Sequence, residues 1–225
     1  MATHLDLEEQ EQLDALKHFW NKWGNLITWL LIAVLGAYAA WTGWQYWERR
    51  QAGLASVLYD EVARAAEAGD VARVERALAD MKERYGGTAY AAQAGLLGAK
   101  LLAEKGKPAE SQAALAWVAD KAPGDGLRAV ARLRLASVQV GEKAYDEALK
   151  TLSASFPAEY TALAADRRGD VLLLQGKREQ AAAEFGKAYQ GLTADSGEYR
   201  RLVGMKLNAL GIDPDAGAKA AGAVS

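Results

Sequence analysis

A run of 25 residues without a charge, Trp23 to Trp47, limits this chain to few architectures. A helix of this length exceeds the roughly 20 residues needed to cross about 30 Å of hydrocarbon. Six of the seven tryptophans lie in or beside the run, in two groups on either side of the apolar residues 30–40. The groups are Trp20, Trp23 and Trp29, then Trp41, Trp44 and Trp47. Because tryptophan belts mark both faces of a bilayer, the run predicts a transmembrane helix over 23–47.

Two other interpretations of the run are a buried core helix and a cleaved signal peptide. A core helix does not explain two separated tryptophan groups. The segment Ala37-Tyr38-Ala39 has the small-x-small form of a cleavage site, but residues 1–22 carry five acidic and two basic side chains. A signal peptide instead begins with a short positive segment, so we expect an uncleaved anchor. Two basic residues flank the run on each side, and these charges leave its orientation open.

Three small residues within the run form a candidate transmembrane packing face. Gly36, Ala40 and Gly43 are spaced by four and three positions, so a helix places them on one side. Such a face lets another helix backbone approach closely. Glycine and alanine are also common in spanning helices, so the spacing alone leaves ordinary lipid-facing composition as the alternative.

Composition excludes several classes of function. The chain has no cysteine, and its only two histidines, His4 and His18, lie near the N-terminus. This excludes a disulfide framework and any His/Cys metal site or Cys/His nucleophile–base pair in the body of the protein. The net charge of −2 is too even for a nucleic-acid binder. We therefore predict no catalytic, cofactor-binding or metal-binding residues, no cofactor and no nucleic-acid partner; paired carboxylates such as Asp60-Glu61 fit solvated surface.

Beyond residue 50 the sequence alternates amphipathic segments with short breaks. Gly106, Gly141 and Gly176 are 35 residues apart, and Gly69 precedes the first by 37. A period in this range is typical of stacked helix–turn–helix units, and the second segment of each unit keeps apolar residues at steps of three and four. We predict an all-α fold with helix pairs over 51–68 and 71–85, 88–105 and 108–121, 126–140 and 144–156, and 158–175 and 178–192. A ninth helix over 197–211 is expected to cap this α-solenoid.

These patterns divide the chain into four parts. We expect an acidic N-terminal tail over 1–22, a transmembrane helix over 23–47, a repeat domain over 48–211 and a disordered tail over 212–225. The N-terminal tail has too little apolar surface to fold alone.

Two motifs carry a resemblance to known proteins. Gly169-Asp170 followed by Gly176-Lys177-Arg178-Glu179-Gln180-Ala181, with Phe185 and Ala188, resembles one tetratricopeptide repeat in its small residue, turn, alanine and aromatic. Together with the span ending Gly43-Trp44-Gln45-Tyr46-Trp47 and a closing Met205-Lys206-Leu207-Asn208-Ala209-Leu210, the ordered combination resembles the bacterial YfgM family.

The resemblance implies a function and a location. It implies a single-pass protein of the bacterial inner membrane, with a cytoplasmic N-terminus and a periplasmic repeat domain. It implies an ancillary subunit of the SecYEG translocon that works with the periplasmic chaperone PpiD and contacts the lipid bilayer and unfolded secreted polypeptides. The alternative is a repeat-domain assembly factor for another envelope complex; an enzyme has no positive sequence support.

Overall fold

The computed structural model describes residues 7–193 and 196–214, which form helices and no strand. This confirms the all-α class. The described helices are α1 (Leu7–Glu67), α2 (Val71–Tyr85), α3 (Ala89–Glu104), α4 (Pro108–Lys121), α5 (Asp125–Gly141), α6 (Tyr145–Leu152), α7 (Ala158–Leu174), α8 (Arg178–Gly191) and α9 (Gly197–Ala209).

The chain contains two compact units, residues 1–50 and 51–225. The sequence predicts separate helices over 23–47 and 51–68, but the structure includes both in α1, which begins at Leu7. No proline precedes Pro108, and an isolated glycine costs a helix only about 1 kcal/mol, so nothing in 7–67 ends the helix. The part of the N-terminal tail over 7–22 is therefore helical, while residues 1–6 lie outside the described residues. The four-part division remains a prediction.

Apolar clusters join the hairpins of the second unit. Each of the four clusters takes buried residues from both helices of one hairpin and from the first helix of the next. Every second helix contributes one large buried side chain: Met81, Leu115, Leu152 and Phe185. Since no hairpin covers its own apolar face, the helices stack as a solenoid, and α9 covers the last hairpin through Val203 and Leu207.

The turns within the four hairpins share one hydrogen-bonding pattern. The turn residue is in the left-handed region at Gly69, Gly106, Lys143 and Gly176. In each turn its N–H bonds to the carbonyl three residues back, and the next N–H bonds to the carbonyl five residues back. This is the Schellman motif, in which glycine is favoured because it has no Cβ. The predicted turn role of Gly141 is wrong, because Gly141 ends α5 and Lys143 takes the left-handed position.

These turns define the true register of the repeat. Seven residues before each turn residue the first helix buries Val62, Ala99, Ala136 or Gly169. Five residues after it, the second helix buries Val74, Ser111, Ala148 or Ala181, each fully inaccessible. Helix α9 has the same signature, with Gly204 seven residues before a left-handed Gly211. The predicted capping helix is thus built like the first helix of another repeat.

Two segment ends differ from the sequence prediction. Helix α6 ends at Leu152 rather than residue 156. Phe156 precedes a proline, and the residue before a proline is disfavoured in a helix. In the predicted disordered tail, the Ile212 N–H bonds to the Leu207 carbonyl and completes the α9 turn. The remainder of that tail, residues 215–225, lies outside the described residues.

Candidate protein-interaction surfaces

The uncharged run presents its apolar side chains outward. Within the described residues, one segment, Glu11–Glu67 of α1, is long and apolar enough to cross a membrane by length and composition. Trp29, Leu35 and Trp44 are each about two-thirds exposed in the first unit. A core helix would bury such side chains, so the exposure favours an apolar environment outside the protein.

The candidate packing face lies in the middle of this segment. Gly36 and Gly43 have no atom of another group within 4 Å of the position that a Cβ would occupy, and Ala40 between them is exposed. The three residues lie within one side of α1, as their spacing predicts. The face therefore has room for a second helix backbone, and its use by a partner remains a prediction.

A pocket opens between the first helices of the third and fourth hairpins. It has a volume of about 240 Å³ and lies between α5 and α7, with the end of α6 beneath. Its floor is apolar and buried, formed by Leu133, Ala136, Leu152 and Val171. At its rim, Leu174 is more than half exposed. An apolar floor under an exposed leucine is typical of a surface that binds another molecule.

One wall of this pocket is polar. The Arg167 guanidinium lies 3.8 Å from the Asp170 carboxylate, one turn further along α7. The Lys206 ammonium of α9 lies only 2.7 Å from the same carboxylate, on Oδ1. Asp170 is therefore fixed by α9, and half-exposed Arg167 keeps N–H groups available at the pocket rim.

The same lysine holds a buried network between α7 and α9. Asp166 is 1% exposed and accepts hydrogen bonds from Lys206 Nζ at 2.8 Å and from the Tyr199 hydroxyl at 2.5 Å. Burial raises the pKa of the Tyr199 hydroxyl, and its hydrogen bond to Asp166 raises that pKa further. A buried carboxylate requires such partners, so α9 is attached by charge as well as by apolar contact.

A second ionic cluster joins α7 to α6 and α8. Arg168 donates to Glu184 Oε2 at 2.7 Å and to the Leu152 carbonyl at 2.8 Å. Burial raises the pKa of Glu184, but the hydrogen bonds and positive charges of Lys187 and Arg168 together lower it by more, so the pKa lies below its usual value. Arg168 thus ties the end of α6 to α8 and fixes the floor of the pocket.

Among the described residues, no group of three or more His, Cys, Asp or Glu side chains is placed to hold a metal ion. The paired Asp60-Glu61 falls on the surface of α1, where Glu61 lies 3.4 Å from Arg73. This is a structural ion pair between neighbouring helices.

Comparison with known proteins gives the family. A tetratricopeptide repeat-like domain model matches residues 17–212. A protein of Escherichia coli named ancillary SecYEG translocon subunit is 32% identical to the chain over 91% of its length and 97% of the relative's. One of Neisseria gonorrhoeae with the same name is 30% identical over 93% of the chain and 100% of the relative. This chain belongs to the YfgM family.

The YfgM relatives align with both units. A further relative, from Haemophilus influenzae, is 28% identical over 91% of this chain and carries the same name. These names describe translocon subunits and indicate no catalytic activity, which agrees with the predicted absence of an enzyme site. The long apolar helix agrees with an inner-membrane anchor for a YfgM protein.

Neither the pocket nor the buried network between α7 and α9 is predicted from the sequence. A signal for the pocket does exist, because Arg167 and Asp170 lie nine and six residues before the turn residue Gly176. Without the true register, set by Lys143 instead of Gly141, those positions cannot be aligned between repeats.

Proposed function

We propose that this chain is a membrane-anchored accessory protein of the Sec translocon, which assists chaperone-mediated handling of secreted proteins through protein–protein contacts. The observation that carries the proposal is the coverage of the relatives. Proteins named ancillary SecYEG translocon subunit align with both the apolar segment and the repeat domain, over more than nine-tenths of this chain. A likeness confined to the repeats would support the fold alone.

In this proposal α1 spans the bacterial inner membrane once, with the N-terminus in the cytoplasm and the repeat domain in the periplasm. Two Trp groups and a central apolar stretch support the span. The small-residue face of Gly36, Ala40 and Gly43 packs against a membrane helix of the translocon. The repeat domain then lies where secreted chains emerge and where a PpiD-like chaperone is also held.

The repeat domain contributes surfaces instead of chemistry. Helical solenoids bind partners along an extended face formed by successive repeats. Here α3, α5 and α7 lie side by side in one layer, and the pocket between α5 and α7 gives this layer an apolar floor. An unfolded secreted polypeptide exposes apolar side chains that such a surface binds.

The test is co-purification of the full chain from native membranes in a gentle detergent, combined with protease treatment of spheroplasts. Recovery of SecYEG and a PpiD-like chaperone, with cleavage of the repeat domain from outside, is the expected result. A protected domain contradicts the topology. Recovery of a different envelope complex contradicts the translocon role and favours the assembly-factor alternative.

A matched pair of variants tests the membrane contact. Gly36→Leu with Ala40→Leu fills the small-residue face, so we expect loss of translocon recovery. Val34→Leu with Tyr38→Leu places leucines on the opposite side of the same helix and should leave recovery unchanged. Equal recovery of both pairs would assign the small residues to ordinary lipid-facing composition.

A further inference from the structure

The pocket between α5 and α7 has a size that limits its occupant. Its volume of about 240 Å³ is below the roughly 300–1,000 Å³ of sites that enclose cofactors and drug-sized molecules. One apolar side chain fits over the buried floor of Leu133, Leu152 and Val171. A longer ligand with a side chain on this floor would extend across the rim formed by Val140 and Leu174.

The polar wall of the pocket specifies what lies outside. Arg167 provides N–H donors, and Asp170, 3.8 Å away, provides carboxylate acceptors. A peptide unit carries the complementary pair, one carbonyl acceptor and one N–H donor. In an extended chain both groups are free to bond outward, whereas in a helix they are used internally. The pairing therefore fits an extended polypeptide rather than a helical one.

The wall is fixed before any ligand arrives. Lys206 lies 2.7 Å from Asp170 Oδ1 and 2.8 Å from buried Asp166, so this ion pair holds the Asp170 carboxylate in place. A fixed acceptor loses little side-chain entropy when it binds, which favours affinity. Lys206 is thus a positioning residue for the pocket.

This combination is confined to one hairpin of the described repeats. In the register set by the turns, the positions of Arg167 and Asp170 are taken by Arg134 and Ser137 in the third hairpin. Arg134 turns to the Leu96 carbonyl at 3.5 Å, and Ser137 bonds to the Leu133 carbonyl of its own helix. The second hairpin has Leu97 and Lys100 there, and the first has Asp60 and Ala63. Among these hairpins, the arginine–aspartate wall beside an apolar floor is thus specific to the pocket between α5 and α7.

We propose that this pocket is the side-chain subsite for extended polypeptides: it takes one apolar side chain while Arg167 and Asp170 bond the adjoining peptide unit. The inference rests on the proposed function and names the site at which secreted chains are held. It deepens that function from a general binding surface to one pocket with a defined ligand chemistry.

The first test measures binding of two labelled peptides to the full chain in lipid nanodiscs, with empty nanodiscs as the lipid control. The peptides are Ser/Thr-rich and identical, except that one has a central leucine and the other a serine. Burial of a leucine side chain predicts about tenfold tighter binding of the leucine peptide. Ser137→Phe covers the pocket mouth and should remove that difference. Ser137 is exposed, so the variant does not disturb the core.

Lys100→Phe is the matched control, since Lys100 lies at the same position of the second hairpin, six residues before its turn. It should leave binding unchanged. If Ser137→Phe and Lys100→Phe bind the leucine peptide as wild type does, the subsite assignment is wrong, although polypeptide binding stands. If wild-type protein binds neither peptide above empty nanodiscs, polypeptide handling itself fails, and the subsite with it.

A second test addresses the polar wall. An ester in place of the peptide bond at the leucine removes one N–H donor and keeps the shape of the ligand. We expect the ester to bind wild type about tenfold more weakly, because a hydrogen bond to a charged group is lost. In Asp170→Asn the two ligands should differ far less, and this double-mutant cycle isolates the contact. An unchanged difference in Asp170→Asn would overturn the role of Asp170.

Discussion

Lys143 occupies the one left-handed turn of the four described hairpins that lacks glycine. Its φ is 61°, against 67°, 71° and 77° at Gly69, Gly106 and Gly176. For a residue with a Cβ, this conformation costs roughly 1–2 kcal/mol. Glycine at the same position removes this strain but also lowers the free energy of unfolding by about 0.4–1 kcal/mol, because the unfolded chain gains entropy. We therefore expect Lys143→Gly to stabilise the repeat domain by about 0.5–1 kcal/mol.

The assay uses the full chain in detergent and two readouts. Thermal unfolding followed by far-UV circular dichroism should show a rise of about 2 °C, the shift that such a free energy produces in a domain of this size. Hydrogen exchange of the Ala144 amide should slow, because this N–H bonds to the Gln139 carbonyl across the turn. The local readout is needed since repeat arrays do not always unfold in one step.

Reciprocal variants make the reasoning refutable. Gly106→Lys and Gly176→Lys introduce the same strain, and no atom lies within 4 Å of a Cβ built at either position. Each variant should lower the free energy of unfolding by about the amount that Lys143→Gly raises it. Lys143→Asn, which tolerates the left-handed region better than lysine, should fall between. If Lys143→Gly is neutral or destabilising while the two glycine variants are also neutral, backbone strain does not govern these turns.

Three further outcomes follow from the packing of α7, α8 and α9. Lys206→Met leaves Asp166 buried without its cation, so α9 should lose about 3–5 kcal/mol of attachment, seen as faster amide exchange in α9 but not in α3. The pKa of Tyr199 is raised in the folded protein, so its hydroxyl contributes fully to the free energy of unfolding below pH 10.0, and this contribution is lost as pH rises above that value. Unfolding measured at increasing alkaline pH should show this loss of stability. Tyr199→Phe should make the loss smaller. Gly169→Ala places a Cβ 2.5 Å from the Phe185 ring and should cost about 1–3 kcal/mol in thermal unfolding, whereas Gly186→Ala, which meets no atom within 4 Å, should be stabilising.

Helix positions in the repeat domain were predictable because local chemistry ends each helix. Pro108 starts α4, and Thr88 accepts the Ala91 N–H at the start of α3. The first helix of each hairpin ends just before its left-handed turn residue. Most predicted bounds agree with the structure within two residues. The exceptions are the end of α6, four residues before its predicted end, and the two segments predicted over 23–47 and 51–68, which form one helix. The second prediction places a helix boundary where the sequence changes from apolar to polar. The peptide backbone has no reason to stop there.

The register of the repeat was harder to predict from the sequence than the helix positions. Gly141 lies 35 residues from both Gly106 and Gly176, yet the left-handed turn residue is two positions later, at Lys143, whose Cβ makes this conformation strained. Periodicity of glycines therefore predicts the number of hairpins better than their alignment. The apolar positions, such as the five-residue offset from the turn to Ala148 or Ala181, fix the alignment only once the turn is known.

The pocket was hidden from the sequence for a different reason: its parts come from three helices and gain meaning only together. Asp170 is on the wall of the pocket, and its carboxylate is also bonded by Lys206 of α9. The helix that closes the solenoid therefore also sets the position of an acceptor on the binding surface. Because Lys206 bridges Asp170 and the buried Asp166, displacement of α9 would release both carboxylates at once. Stability of the C-terminal end and the shape of the ligand pocket thus depend on one ammonium group.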